Sequence, residues 1–300
     1  MARELPLPQA WYQTALEESL LLDALRHLIP DERPLCIPPA ASMASRNDII
    51  ELARKLLSPA EYDNFLMYAT ALSQHLLHMT EDIFPAAPAC DLGPPAHPAE
   101  ATARLYMDAQ QGSLWTAVRA IVADLPFKMQ QRQLSAKPVL TFSAGAYGHR
   151  SYVGLHKHTL QTPTVCRMVN ALIRGLAPSL RWTTFSITCN CLNEVHVDKQ
   201  NAAIDSLVLG LSHFTGGALW IQDSAGLQFE EVQDALVPGK LYEVSRRCYL
   251  MPAFARWHRT YQWQEGERVV LLAYAIGQHR CLSAEHRSHL DSLGFALPGC

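Results

Sequence analysis

Residues 182–222 read WTTFSITCNCLNEVHVDKQNAAIDSLVLGLSHFTGGALWIQ. Three short runs rich in β-branched and aromatic residues (WTTFSITCNCL, SLVLGLSHF and GALWIQ) stand here, separated by polar and glycine-bearing turns. Such runs predict strands. The same texture holds on both sides of this stretch, in VLTFSAGAY from Val139, LYEV from Leu241 and ERVVLLAYAI from Glu267. Turn residues recur at Thr215-Gly216-Gly217, Pro238-Gly239 and Glu265-Gly266. Within this half only 163–176 has convincing helical spacing. Many short strands without alternating helices predict an antiparallel barrel or jelly roll. A last amphipathic piece, Ser283 to Leu293, is expected to pack on its outside.

Upstream the pattern changes to helix. Leu16, Leu20, Leu21, Ala24, Leu25 and Leu28 recur at helical spacing until Pro30. Ser45 to Leu57 is a second helix, and Ser58-Pro59-Ala60-Glu61 has the form of a cap opening a third through His78. The proline-rich stretch 84–98 reads as a connector, and Ala99 to Leu125 as a further helix. The expected class is thus α+β, with a helical N-terminal region (1–135) and a β-rich domain with a short C-terminal helix (136–300).

The chain has 300 residues, 49% apolar and 18% charged, which is ordinary globular composition. No apolar run approaches the roughly 18–20 residues of a membrane span. The opening MARELPLPQAWYQ lacks the cationic-then-apolar build of a secretory leader. None of the eight cysteines forms a CxxC pair, so reduced, packed thiols are expected, Cys189 and Cys191 included. An intracellular protein, cytoplasmic or nuclear, is the expectation. The net charge of −3 argues against nonspecific coating of nucleic acid. Residues 1–140 carry 11 basic and 16 acidic side chains, and 141–300 carry 14 and 12. An anionic ligand therefore belongs on the β-rich part.

Walker, GxGxxG, HExxH and GxSxG signatures are absent. What stands out is His196-Val197-Asp198, with His258 sixty residues beyond the aspartate and Arg268 ten beyond that histidine. His-x-Asp alone also fits a surface turn. At a strand end, however, residues i and i+2 share a face about 6–7 Å apart at Cα, so imidazole and carboxylate can meet one metal. A second imidazole from another strand makes two histidines and one carboxylate on one face of an octahedron. Three positions stay open, as in non-haem Fe(II) oxygenases. Arg268 opens the strand after His258 and can grip a carboxylate bidentately, although alone it would pass for a strand-end charge.

On these residues the sequence resembles the Fe(II)/2-oxoglutarate-dependent oxygenase superfamily over roughly 138–276, its double-stranded β-helix (jelly-roll) core. HVDKQN is similar to the strand with the HxD motif, and HRTYQWQEGERVVLLAY to the strands with the distal histidine and the arginine. The resemblance implies that His196, Asp198 and His258 bind Fe(II) and that Arg268 binds 2-oxoglutarate. It also implies that O₂ is consumed and a substrate C–H bond hydroxylated. NCLNEVHVDKQN followed by GLSHFTGGALWI most resembles algal and protist relatives of the TET and base-J hydroxylases. That implies a nucleobase methyl substrate, 5-methylcytosine or thymine, in DNA or RNA. Asn190 and Asn201 are then candidates to meet the cosubstrate. One algal branch uses ascorbate and carries an acid where Asn201 stands, so Asn201 favours 2-oxoglutarate.

Trp220, after a diglycine, fits either a pocket wall or the core. Residues 245–259, SRRCYLMPAFARWHR, hold four arginines and no acid. Arg246, Arg247, Arg256 and Trp257 there can bind phosphates and stack on a base, or form a solvated loop. His213 can face inward, while His156-Lys157-His158 and the pair His75 and His78 read as solvated. Hydroxylation of a protein side chain or small molecule is the rival activity. A non-catalytic β-barrel binding module is the rival class.

Overall fold

The computed structural model describes residues 1–29, 37–76, 84–86, 93–130, 139–149 and 152–299. Its α-helices are α1 (Gln9–Leu28), α2 (Arg46–Leu56), α3 (Pro59–His75), α4 (Pro98–Ala109), α5 (Leu114–Ala123), α6 (Lys157–Gln161), α7 (Pro163–Leu176) and α8 (Ala284–Ser292). The strands before α7 are β1 (Arg3–Leu5), β2 (Lys128–Gln130), β3 (Val139–His149) and β4 (Tyr152–Leu155). After it come β5 (Thr184–Cys189), β6 (Ser206–Gly210), β7 (Thr215–Gly216), β8 (Leu219–Gln222) and β9 (Gln228–Val232). β10 (Ala235–Tyr242), β11 (Cys248–Met251), β12 (His258–Thr260), β13 (Trp263–Gln264) and β14 (Val269–Tyr274) complete the set.

All described strand pairs are antiparallel. The large sheet runs β1-β11-β6-β14-β5-β3-β2, with β4 on β3, and the small sheet runs β12-β8-β10-β9. Strand parity explains the layering. In β14, Val269, Leu271 and Ala273 enter the main core, while Val270 and Leu272 point the other way into a second core. β6 divides likewise, Leu207 and Leu209 against Val208. The main core is filled from the helical side by α4, α5 and α7, through Ala103, Trp115, Ile121, Val169 and Ile173. The second core takes Leu219 and Ile221 from β8, so the small sheet covers the other face. A satellite core joins α1, α2 and α3 through Leu21, Leu22, Leu25, Ile49 and Phe65.

The packing crosses the change of composition at 135/136. β1 is an edge strand of the large sheet, registered Arg3 to Leu250 and Leu5 to Cys248. Glu100 of α4 is fully buried, and its carboxylate accepts from the backbone N–H groups of Thr164 and Val165 at 3.1 Å. This anion satisfies donors that open α7, where an acid is favoured by the helix dipole.

Several sequence expectations are corrected. The helix expected over 99–125 is two helices. Gln110 (φ 50°) and Gly112 (φ 89°) break it, and Ser113 recaps the second through Trp115 N. α1 begins at Gln9, well before the first leucine of the periodic run. Pro238-Gly239 lies inside β10 and not in a turn. The reversal before it uses Gln233 and Asp234, both left-handed, at φ 51° and 64°. Gly239 is needed there because a Cβ would lie 2.3 Å from Trp220 Cε2. Cys166, Cys189, Cys248 and Cys281 are free thiols, and Cys191 Sγ donates to Asn193 Oδ1 at 3.0 Å; Cys36, Cys90, Cys300 and His78 lie outside the described residues. No described helix is long and apolar enough to cross a membrane.

Candidate metal centre

The chain leaves the large sheet at Asn190, a left-handed residue (φ 56°) at the end of β5. Asparagine tolerates that conformation. Its backbone N–H donates to Arg268 O at 2.8 Å, and its Oδ1 accepts from Arg268 N at 2.9 Å. Asn190 is exposed and ties down the Arg268 backbone; it does not line the cavity described below. The following segment crosses to the small sheet. His196 N donates to His258 O at 3.0 Å and His258 N to His196 O at 2.9 Å. This bridge brings the two imidazoles to a centroid separation of 4.2 Å.

Each ring is oriented the same way. His196 Nδ1 lies 2.7 Å from Glu194 O, and His258 Nδ1 lies 2.9 Å from Arg256 O. A carbonyl only accepts, so each Nδ1 carries a proton, which leaves Nε2 as the nitrogen that can face a metal. Both histidines are buried. Burial above all, then the facing His196, holds His258 below the ordinary histidine range, against the pull of Asp198. Neutral imidazole is the form a metal takes. Asp198 Oδ1 stands 3.5 Å from His196 Nε2, Asp198 N donates to Ala253 O at 2.9 Å, and Asn201 Nδ2 donates to Asp198 Oδ2 at 3.3 Å. One ligand atom from each of His196, Asp198 and His258 lies within 4.8 Å of the others. Two imidazoles and a carboxylate facing open space suit Fe(II).

These groups border a cavity of about 440 Å³ between the two sheets. Ser186, Thr188, Ser206 and Val270 form part of its floor on the large sheet, and Leu219, His258 and Thr260 line it from the small sheet. Asn201 and Arg268 also line it. The Arg268 side chain is buried; its Nε donates to Gly217 O at 3.2 Å and its guanidinium sits 5.6 Å from the Phe214 ring centroid. Among the described residues no carboxylate lies within 4.0 Å of it. Burial pushes its pKa down to about 10, so it remains a cation at neutral pH. A buried cation without a counter-ion is costly, and an anionic ligand removes that cost. The Ser206 hydroxyl in the floor is also buried without a partner.

The remaining candidates stand elsewhere. Trp220 faces away from the cavity; its fully buried indole lies on Gly239 and donates to Gln228 O at 3.0 Å. The neighbours Leu219 and Ile221 point inward, so strand parity turns Trp220 out. Arg246 and Arg247 border a different pocket, and Arg247 pairs with Glu4 at 3.3 Å. Arg256 is exposed and contributes its carbonyl to His258, while Trp257 is half-buried. Neither lines the cavity. His213 points to Glu18 of α1, 3.0 Å away. His158 packs on Phe142 and His156 on Tyr147, and His75 is exposed. The carbonyls of Glu194 and Arg256, which orient His196 and His258, have no sequence signature because any residue supplies one. The cavity hydroxyls of Ser186, Thr188 and Ser206 are legible only once the parity of β5 and β6 is known.

No family model matches the sequence, and no curated protein matches it. Solved structures similar to it include a 2OG-Fe(II) oxygenase family oxidoreductase from Burkholderia pseudomallei, 14% identical, covering 65% of this chain and 95% of that one at TM-score 0.37. A Pseudomonas putida prolyl-4-hydroxylase is 14% identical, covering 59% and 87% at TM-score 0.31. NgTET1 in complex with 5mC DNA is 11% identical, covering 45% and 60% at TM-score 0.32. At these TM-scores and identities the likenesses assign neither fold nor activity to this chain.

Proposed function

We propose that this chain is an Fe(II)- and 2-oxoglutarate-dependent oxygenase on a double-stranded β-helix core. The observation that carries the reading is the presence, in one cavity, of an open two-histidine, one-carboxylate set and a buried guanidinium without an acidic partner. His196, Asp198 and His258 hold the iron, and Arg268 takes the far carboxylate of 2-oxoglutarate. Bound Fe(II) supplies O₂ activation coupled to decarboxylation of the 2-oxo acid. The protein orients the imidazoles through Glu194 O and Arg256 O, shields the cavity between two sheets, and holds Asp198 beside Asn201. Asn201 favours 2-oxoglutarate over ascorbate, and Asn190 acts by fixing the Arg268 backbone.

The finer substrate reading, a nucleobase methyl group, rests on the likeness of 190–201 and 210–221 to the TET and base-J hydroxylases. A second reading, hydroxylation of a small molecule or protein side chain, is favoured by the position of Arg246 and Arg247 outside the cavity lining. Succinate formation from 2-oxoglutarate, with Fe(II) under air, tests the oxygenase reading. A metal-loaded protein that forms none is the binding module instead. Adding an oligonucleotide carrying 5-methylcytosine tests the substrate. Hydroxymethylcytosine supports the nucleobase reading, and unchanged oligonucleotide alongside steady succinate formation supports the second.

A further inference from the structure

A pocket of about 550 Å³ shares no lining residue with the metal cavity and lies where the N-terminal segment meets the turn between β10 and β11. Leu5, Leu7, Tyr12 and Leu16 supply apolar walls, and Arg246 supplies a cation. Glu4 and Arg247 also line it, but they pair with each other at 3.3 Å. The carboxylates whose field reaches Arg246 are engaged elsewhere. Asp23 holds Arg26 at 2.6 Å, and Glu18 holds Arg119 and His213. Arg246 has no hydrogen bond or ion pair among the described residues, and its Nε is buried without a partner. Burial holds its pKa below the ordinary arginine value.

The backbone adds a second cost at the same residue. Arg247 N donates to Val244 O at 3.0 Å, closing a turn in which Arg246 sits at φ 57°. That region favours glycine or asparagine, and another residue held there is strained. The turn cannot relax downward, because it rests on β6 at Gly210, where a Cβ would lie 2.0 Å from Val244 O. An arginine here thus pays for backbone strain and for desolvation, with no partner in the free protein.

We propose that this pocket is a second ligand site, for an amphiphilic anion: a carboxylate or phosphate monoester head on Arg246, with an aromatic or branched aliphatic body against the leucines. Its volume falls within the roughly 300–1,000 Å³ usual for small-molecule sites. The planar guanidinium matches either head group through paired N–H donors. The site needs neither iron nor 2-oxoglutarate, so it stands or falls separately from the oxygenase reading.

Calorimetric titration of the full chain with phenyl phosphate and with phenylacetate tests it, using inorganic phosphate and benzyl alcohol as controls lacking the body or the charge. The expected result is binding of at least one aryl anion tenfold or more tighter than either control. Preference between the two aryl anions identifies the head group. Arg246→Gly should weaken that binding at least tenfold without lowering the melting temperature, because glycine is at ease at φ 57°. Arg246→Lys should keep part of it. Binding should persist in Arg268→Ala, which separates this pocket from the metal cavity. Equal binding by Arg246→Gly, loss of binding in Arg268→Ala, or no binding of either aryl anion would overturn the proposal.

Discussion

His196 and His258 bond to each other twice through the backbone, at 3.0 and 2.9 Å, and each turns its Nδ1 to a carbonyl two residues earlier in the chain. The two Nε2 atoms are therefore placed by main-chain geometry, and Asp198 is the adaptable member, its side chain 40% exposed. Asp198→Ala should lower Fe(II) affinity beyond the roughly 100-fold that outer-shell changes reach. The fold should persist, since Asp198 N keeps its bond to Ala253 O. Asp198→Asn should also bind poorly, having lost the negative charge. Metal titration with circular dichroism checks both; wild-type Fe(II) affinity in Asp198→Ala would remove the residue from the site.

Arg268→Ala should retain iron and weaken 2-oxoglutarate by about 30- to 1,000-fold, the worth of roughly 2–4 kcal/mol for a buried bidentate contact. Arg268→Lys should recover only part, because an ammonium lacks the planar fork. If Arg268 were only packing, both variants would melt earlier and bind 2-oxoglutarate like wild type.

Acid should destabilise the protein through His213. Burial is the main cause that lowers it from 6.5 to about 4, with Arg119 and Arg246 adding to the effect and Glu18 opposing it. Between these values the unfolded chain binds a proton that the folded chain refuses. The stability His213 contributes is complete above pH 6.5 and is lost as pH falls towards 4, by up to about 3 kcal/mol. His156, also lowered to about 4 chiefly by burial, acts in the same direction. Urea unfolding across this range should show a shallower loss in His213→Gln, which keeps a donor for Glu18, than in wild type. Identical slopes would contradict a neutral buried His213.

Trp220→Phe removes the bond to Gln228 O and should cost about 1–2 kcal/mol of stability. Affinities for Fe(II) and 2-oxoglutarate should not move, because the indole lies on the far side of the small sheet. Denaturant midpoints and ligand titrations on the same samples check this; a selective loss of ligand affinity would return Trp220 to the cavity.

The contrast between Arg268 and Trp220 shows what a single sequence can carry. That His196, Asp198, His258 and Arg268 border one cavity was legible because two imidazoles, a carboxylate and a guanidinium are unusual in combination. Trp220 was ambiguous because alternation along four residues names two faces without saying which is inside. Pro238-Gly239 misled for a physical reason. Pro238 O accepts from Asp223 N beyond the end of β8, so its missing N–H costs no ladder bond, and Gly239 makes room for Trp220. The true reversal at Gln233-Asp234 has no glycine or proline to mark it. β1 is three residues long, and what places it, pairing with β11 and the ion pair of Glu4 with Arg247, lies more than 240 residues away in sequence.

The central claim is that His196, Asp198, His258 and Arg268 together hold Fe(II) and 2-oxoglutarate in one cavity. Anaerobic titration of the Fe(II)-loaded protein with 2-oxoglutarate reads this through the visible charge-transfer band of a 2-oxo acid chelated to Fe(II). The band should saturate at one equivalent of iron per chain in wild type. It should be absent in Asp198→Ala and His258→Ala, and should need far more 2-oxoglutarate in Arg268→Ala. No band in wild type at saturating 2-oxoglutarate, or the same band in Asp198→Ala, would contradict the account.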